Sequence, residues 1–184
     1  MSRRLTKSKI IEAFEDLAVE LERRGVRGQL FVVGGAAMAL AYSAERSTLD
    51  VDGIFEPKSS VYEAAEVVAE RLELPDDWLN DAVKGFLPGS DPNRVEVFIR
   101  PSLEVSVASP EYLLAMKMMA GRMDTDADDI RLLYGILAFT TAEEGLDLLE
   151  RFWPGRALPV KSQLALEAMF GPSREGPADP FTLR

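Results

Sequence analysis

Apolar residues recur along the chain at two spacings, one typical of helices and one typical of strands. Between Thr6 and Arg24 they are three and four residues apart, which predicts a helix with one buried face: Ile10, Phe14, Leu17 and Leu21. A run of strand formers at 29–33 then ends at Gly34-Gly35, and residues 36–42 are strong helix formers. This order predicts a strand, a glycine turn and a helix.

The next hundred residues alternate between short strand patterns and helical ones. Leu49 to Phe55 alternates as a second strand, with Leu49, Val51 and Phe55 facing inward. A helix is predicted from Ser59 or Ser60 to about Leu72, because either serine can cap it. Three further elements are predicted: a short helical turn from Pro75 to Asp81 that carries Trp78, and strands at 95–99 and 103–107.

The remaining elements are all helical. Ser109-Pro110 is a typical helix start, and this helix is predicted to run to about Met123. Others are predicted at 128–139, after the capping-box pattern Thr141-x-x-Glu144, and at 160–170. The pattern therefore predicts an α+β fold: a mixed sheet with flanking helices in residues 1–108, a helical part in 109–170, and a disordered tail in 171–184.

Composition narrows the chemistry that the chain can perform. Among its 184 residues there is no cysteine and no histidine, which excludes thiolate nucleophiles, imidazole bases, and metal sites built on either residue. A bound metal should be a hard, oxygen-preferring ion such as Mg²⁺. The net charge of −10 disfavours general nucleic-acid binding. Because no apolar run reaches about 18 residues and the start lacks a signal-peptide core, we expect a cytoplasmic protein without membrane contact.

Two local patterns carry candidate chemistry. Gly34-Gly35 between a strand and a helix exposes backbone N–H groups that can bind phosphate oxygens, although such a turn can also be purely structural. Asp50 and Asp52, two apart in a predicted strand, would face the same side and repel each other unless a cation lies between them. The alternative for this pair is a solvated strand end.

The combination of these patterns resembles the nucleotidyltransferase superfamily, with its GG/GS…DxD motif. The segments FVVGGAA at 31–37 and RSTLDVD at 46–52 look most like the AbiEii-type branch, which includes toxins of toxin–antitoxin systems. Further matching segments are WLND at 78–81, VKGF at 83–86, LAMK at 114–117, and the stretch from Arg122 to Ile130. The resemblance covers about residues 28–138.

The resemblance implies roles for individual residues. Asp50, Asp52, Lys117 and Asp129 would be catalytic, while Gly34, Gly35, Arg46, Ser47 and Thr48 would bind the nucleotide. Lys117 lies on an apolar helix face, where it either reaches water or enters a cleft to meet phosphate; the resemblance favours the cleft. Asp129 would orient this lysine, or else belong to a helix cap with Asp126.

A third metal-binding acid is expected on a later strand, with Glu96 and Glu104 as candidates and Glu104 preferred. Either glutamate could instead be an outward-facing strand residue. The chain also departs from the common GS pattern, because Ala36 stands where a serine would contact phosphate. Ser47 or Thr48 is a possible replacement.

The resemblance implies a Mg²⁺-dependent transfer of a nucleotide from an NTP to a hydroxyl of RNA, such as a tRNA 3′ end, or of a protein. The chain would then be the toxin of a toxin–antitoxin pair, with a cognate antitoxin as partner. A second hypothesis is a catalytically silent domain of the same fold that binds a partner or regulates it. A third is an α+β scaffold without a nucleotide site.

Overall fold

The computed structural model describes residues 4–171, which fall into two compact units, one up to Ser109 and one from Pro110 onward. The first unit holds seven strands and three α-helices in the described range. Their bounds are β1 Leu5–Thr6, α1 Lys7–Arg23, β2 Gly28–Val32, α2 Gly34–Ala37, β3 Ser47–Thr48, β4 Val51–Glu56, α3 Lys58–Leu72, β5 Leu79–Asn80, β6 Val95–Arg100 and β7 Leu103–Val107. A π-helical turn, Met38–Tyr42, continues α2, and a 3₁₀ turn spans Ala82–Phe86.

Five of these strands form a mixed sheet in the order β5-β4-β2-β7-β6. Strand β2 is antiparallel to β4 and parallel to β7, β4 is parallel to β5, and β6 is antiparallel to β7. The short strands β1 and β3 pair separately. The predicted mixed sheet with flanking helices is therefore confirmed, and the helical second unit completes the predicted α+β class.

Alternation along the central strands separates the two faces of the sheet. In β2, Leu30 and Val32 are buried, whereas Gln29 is exposed. The buried face packs on α1 and α3: a Cβ on Gly28 would lie 2.8 Å from Leu21 and 3.5 Å from Val61. The opposite face carries the alternate positions of the strands and is more open, so polar side chains on it can meet a ligand.

The predicted helix α1 is confirmed, whereas the region around β4 and β5 differs from the predictions. Strand β4 begins at Val51, so Leu49 lies in the preceding bend and is 60% exposed rather than inward-facing. The helical turn predicted at 75–81 is instead a turn followed by β5, which extends the sheet next to β4. Trp78 is buried there, and its Nε1 donates a hydrogen bond to the carbonyl of Ala65 at 3.0 Å.

The second unit consists of four helices in the described range: α4 Pro110–Ala120, α5 Met123–Leu137, α6 Ala142–Phe152 and α7 Val160–Phe170. Helix α5 begins five residues earlier than predicted, since Asp124 and Asp126 occupy its first turn, where the helix dipole favours acids. The predicted capping box is confirmed at Thr141 and Glu144.

In residues 4–171, no helix combines the length and the apolar character that crossing a bilayer requires. The predicted disordered tail falls on residues 172–184, apart from its first residue, and these lie outside the described residues.

Candidate functional site

The glycine turn and the second aspartate meet where β2 ends and β4 begins. Gly34 has a φ of +63°, a left-handed conformation that glycine adopts without strain, and a Cβ at this position would lie 3.5 Å from Oδ2 of Asp52. The backbone N–H of Val33 donates to the carbonyl of Asp52 at 2.9 Å. The antiparallel pairing of β2 with β4 therefore holds the half-buried Asp52 carboxylate beside the turn.

Thr48 adds a hydroxyl to this group. A Cβ on Gly35 would lie only 2.9 Å from Oγ1 of Thr48, so the backbone at Gly35 and the threonine side chain are in close contact. The structure thus brings together four of the residues predicted to act on a nucleotide, namely Gly34, Gly35, Thr48 and Asp52.

Asp50 lies in the bend before β4, so the alternation expected for two residues of one strand does not orient it. Its Oδ2 accepts a hydrogen bond from Nδ2 of Asn80 at 3.1 Å. Asn80 belongs to β5 and lies opposite Asp52 in the register of β4 and β5. Sequence reasoning missed this contact, although the segment 78–81 was among those that carry the family resemblance.

Ser47 is linked to the amino-terminal strand rather than to the glycine turn. Its Oγ accepts a hydrogen bond from Nε of Arg4 at 3.1 Å, and Arg4 Nη2 also donates to the Ser47 carbonyl at 3.4 Å. Arg4 therefore supplies a cation next to β3 that sequence reasoning did not select. Arg46 precedes Ser47 and is half-buried, with its backbone N–H bonded to the Ser43 carbonyl at 3.0 Å.

The structure does not bring Glu104 to the aspartates. Glu104 lies opposite Gln29, which in turn lies opposite Glu56, four residues further along β4 than Asp52. This offset is about 13 Å along the strands. Glu104 instead accepts a hydrogen bond from Gln29 at 3.2 Å and forms an ion pair with Arg27 at 3.5 Å.

The alternative third acid, Glu96, belongs to β6 and lies opposite Ser106 of β7. Strand β6 is three strands away from β4, which corresponds to about 14 Å across the sheet. Within the described residues, no three carboxylates converge to form a metal site. A protein cage for a metal ion is therefore not formed by this part of the chain.

Asp50 and Asp52 nevertheless suit the way in which proteins hold Mg²⁺ with a nucleotide. Mg²⁺ is commonly bound by one or two carboxylates together with waters and substrate phosphates. The donors are hard oxygens, and the adjacent Gly34 leaves open the space that a side chain would fill. The fit is to a Mg²⁺ ion that arrives with a phosphate ligand, rather than to one held by protein alone.

In the second unit, Lys117 lies in a buried ion-pair cluster with two acids of the following helix. Its Nζ is 2.7 Å from Oδ1 of Asp126 and 2.8 Å from Oδ2 of Asp129, and all three side chains are about nine-tenths buried. The other oxygen of Asp126 lies 3.5 Å from Nε of the exposed Arg122. Lys117 therefore does not snorkel to water, and its partners come from α5 rather than from its own helix.

The open face of the sheet forms a cleft of about 420 Å³ in the first unit. We call it the sheet-face cleft; its floor includes Phe31 and Ile54, and Lys58 lies at its rim. Lys58 contacts Asp81 at 2.5 Å, and the hydroxyl of Tyr62 donates to Asp81 at 2.7 Å. These two hydrogen bonds hold the pKa of Asp81 below its usual value.

A family model described as a nucleotidyltransferase of unknown function, DUF6036, matches residues 8–139. The chain belongs to this family. The matched region contains the glycine turn, both aspartates and the Lys117 cluster, and it ends before α6. Neither the curated proteins nor the solved structures give a significant match to the chain. Membership of DUF6036 therefore supports the nucleotidyltransferase superfamily, but not the AbiEii-type branch.

Proposed function

We propose that the chain is a Mg²⁺-dependent nucleotidyltransferase that uses an NTP. The observation that carries this proposal is the position of the Asp52 carboxylate against Gly34, where strand β2 is followed by helix α2. Backbone N–H groups at the start of a helix are favourable partners for phosphate oxygens. A carboxylate beside a phosphate site is unfavourable unless a cation is shared between them. A nucleoside triphosphate that carries Mg²⁺ supplies both the phosphate and the cation.

In the proposed reaction, a hydroxyl group of the acceptor loses its proton to solvent and its oxygen bonds to the α-phosphorus, while the bond from the α-phosphorus to the leaving pyrophosphate breaks. The amides of Gly34 and Gly35 hold phosphate oxygens, Thr48 contributes a hydroxyl, and Asp50 and Asp52 are the residues that hold the metal. When bound, Mg²⁺ supplies charge neutralisation for the transferred and leaving groups. Arg46 is the cation of the first unit that we assign to the phosphates.

Lys117 and Asp129 are assigned to the reaction by the resemblance to the AbiEii-type branch, and the same resemblance suggests the acceptor. We propose that the acceptor is a hydroxyl of a tRNA 3′ end or of a protein. We also propose that the chain is a toxin whose activity a cognate antitoxin restrains. The net charge of −10 favours a protein acceptor over RNA, because an acidic surface repels a polyanion.

The displacement of Glu104 favours a second candidate function. The resemblance to nucleotidyltransferases implies a third metal-binding acid. The described residues, however, bring no third carboxylate to Asp50 and Asp52. Ala36 also replaces the expected serine. The second candidate is therefore a catalytically silent member of the family that binds a nucleotide or a partner without transferring a nucleotide.

Calorimetry with Mg²⁺ and each NTP in turn, followed by transfer of labelled nucleotide to total RNA or cell protein, separates these functions. The wild type should bind an NTP, and Asp52→Ala should weaken binding about tenfold or more because a charge-assisted contact contributes roughly 1.5–3 kcal/mol. Asp77→Ala, which removes an exposed carboxylate of the same unit, is the matched control. Binding with label transfer supports the enzyme, and binding without transfer supports the silent member. Equal heats for the wild type and Asp52→Ala would exclude the enzyme and the nucleotide-binding form of the silent member.

A further inference from the structure

Asn80 is held by two hydrogen bonds that use different ends of its amide. Its Oδ1 accepts from the backbone N–H of Ala82 at 3.1 Å, and its Nδ2 donates to Oδ2 of Asp50 at 3.1 Å. Because the Ala82 N–H requires an acceptor, it fixes the oxygen of the amide on its own side. The nitrogen is thereby directed at Asp50.

The backbone that carries Asn80 is anchored to β4, the strand that contains Asp52 and directly follows Asp50. Strand β5 pairs with β4 so that Asn80 lies opposite Asp52, and the N–H of Val51 donates to the carbonyl of Trp78 at 2.6 Å. The buried indole of Trp78 is tied to α3 through its bond to Ala65. Asn80 is therefore a fixed donor on a rigid part of the sheet.

Asp50 needs such a donor more than Asp52 does. Asp52 belongs to β4, whose ladder with β2 sets the direction of its side chain, whereas Asp50 lies in the bend before the strand. A carboxylate in a bend has more rotational freedom, and repulsion from a second carboxylate two residues away would turn it outward. A hydrogen bond to Oδ2 opposes both effects and leaves Oδ1 available to a ligand.

We propose that Asn80 is a positioning residue that orients the Asp50 carboxylate toward the cation shared with Asp52. This inference rests on the proposed function, since it assumes that the two aspartates hold a divalent ion. Groups that orient a metal ligand typically change metal affinity by roughly 10- to 100-fold when they are removed. We therefore expect a loss of this size at Asn80, without any change to a direct ligand.

The alternative role of Asn80 is purely structural, because its bond to Ala82 closes a local turn. Asn80→Ser separates the two roles. A serine hydroxyl can still accept from the N–H two residues on, but it is too short to reach Asp50. Asn93→Ser, at an exposed asparagine of the same unit, is the matched control.

The test is a titration of the full chain with Mn²⁺ in complex with the NTP that the wild type binds in calorimetry, in which the bound complex is measured by the enhancement of water proton relaxation. The wild type and Asn93→Ser should bind equally, Asp52→Ala should not bind, and Asn80→Ser should bind roughly 10- to 100-fold more weakly. A saturating concentration of the Mn²⁺ complex should restore full occupancy of the site in Asn80→Ser. A variant that had lost its fold would not regain this occupancy. In the Asp50→Ala background, Asn80→Ser should have no further effect.

The outcomes distinguish the inference from the proposed function. Equal affinity for the Mn²⁺ complex in the wild type and Asn80→Ser overturns the positioning role and leaves the proposed function standing. No difference between the wild type and Asp52→Ala overturns both. If Asn80→Ser lowers the melting temperature, the wild-type Asn80 side-chain amide resonance is followed by NMR during titration with Mg²⁺ and the same NTP. It should shift in the wild type and not in Asp50→Ala, and an unmoved resonance in the wild type rejects the inference.

Discussion

The ammonium group of Lys117 lies 2.7 Å from a carboxylate oxygen of Asp126, nine residues further along the chain, and both side chains are almost completely buried. Asp129 completes the cluster at 2.8 Å. Lys117 is the buried cation that both acids share, whereas Arg122, which lies 3.5 Å from Asp126, is exposed. Removing the lysine would take this shared ammonium group from two buried carboxylates, so its stability cost must be known before any effect on activity is interpreted.

We predict that Lys117→Met lowers the free energy of unfolding by about 3–5 kcal/mol, as is typical when one partner of a buried ion pair is removed. Lys161→Met is the control, because Lys161 pairs with Asp124 at the same 2.7 Å with both side chains mostly exposed. The control should cost less than about 1 kcal/mol. Urea unfolding of both variants measures the difference, and equal costs would contradict the prediction.

This result decides how Lys117 variants are used to test catalysis. A loss of activity in Lys117→Ala cannot be assigned to chemistry if the variant is partly unfolded. The comparison should be made at a temperature where circular dichroism shows the variant to be as folded as the wild type. Asp50 and Asp52 are safer targets, since both are only half-buried.

A second prediction concerns the contact between Gly35 and Thr48. Gly35→Ala should destabilise the protein by about 1–3 kcal/mol, because the new methyl group would lie 2.9 Å from the threonine hydroxyl. Thr48→Ala in the same chain should recover part of this loss, with a coupling of at least about 0.5 kcal/mol. Thermal unfolding of the two single variants and the double variant gives the coupling.

Gly85→Ala is the control for this cycle, since nothing lies within 4 Å of a Cβ at that position. Its effect should be small. Additive effects of Gly35→Ala and Thr48→Ala would show that the two residues are not in contact, and would remove Thr48 from the proposed nucleotide site.

A third prediction concerns the pH dependence of stability at the start of α6. Glu144 accepts hydrogen bonds from the backbone N–H groups of Thr140 and Thr141, which hold its pKa below the usual value of 4.5. A carboxyl group with a lowered pKa in the folded state stabilises the fold fully above pH 4.5. This contribution is lost as the pH falls through the lower, folded-state pKa.

Glu144→Gln should therefore make stability less dependent on pH below about pH 4.5, where the wild type loses this contribution. Glu143→Gln, one residue earlier and exposed, is the control and should keep the wild-type dependence. Thr141→Ala should separately cost about 1 kcal/mol by removing the helix cap. Melting temperatures between pH 3 and pH 7 test both; identical curves for Glu144→Gln and the wild type would refute the role of Glu144.

The parts of the fold that depend on local pattern were predictable from the sequence. Helix α1 follows the spacing of its apolar residues, and α6 follows its capping box. The proximity of Gly34 to Asp52 was also predictable, because two consecutive strands joined by a short helix tend to be neighbours in a sheet.

The parts that depend on distant pairing were not predictable. The partners of Lys117 lie nine and twelve residues away, beyond the one turn over which a helix pattern brings side chains together. Glu104 was preferred for its place in sequence, but the register of β7 with β2 places it beside Gln29. Strand β5 follows the buried Trp78, whose carbonyl accepts from the N–H of Val51 and whose indole donates to Ala65, and alternation along the chain does not reveal these distant contacts.

The pairing of β1 with β3 has a practical consequence for anyone who purifies this protein. Thr6 lies opposite Ser47, and Leu5 lies opposite Thr48, which itself contacts Gly35. A polyhistidine tag fused to the amino end of the chain would precede β1 by only a few residues of sequence and would add metal ligands of its own. Recombinant material for metal titrations should carry its tag at the carboxyl end, or have it removed by protease beforehand.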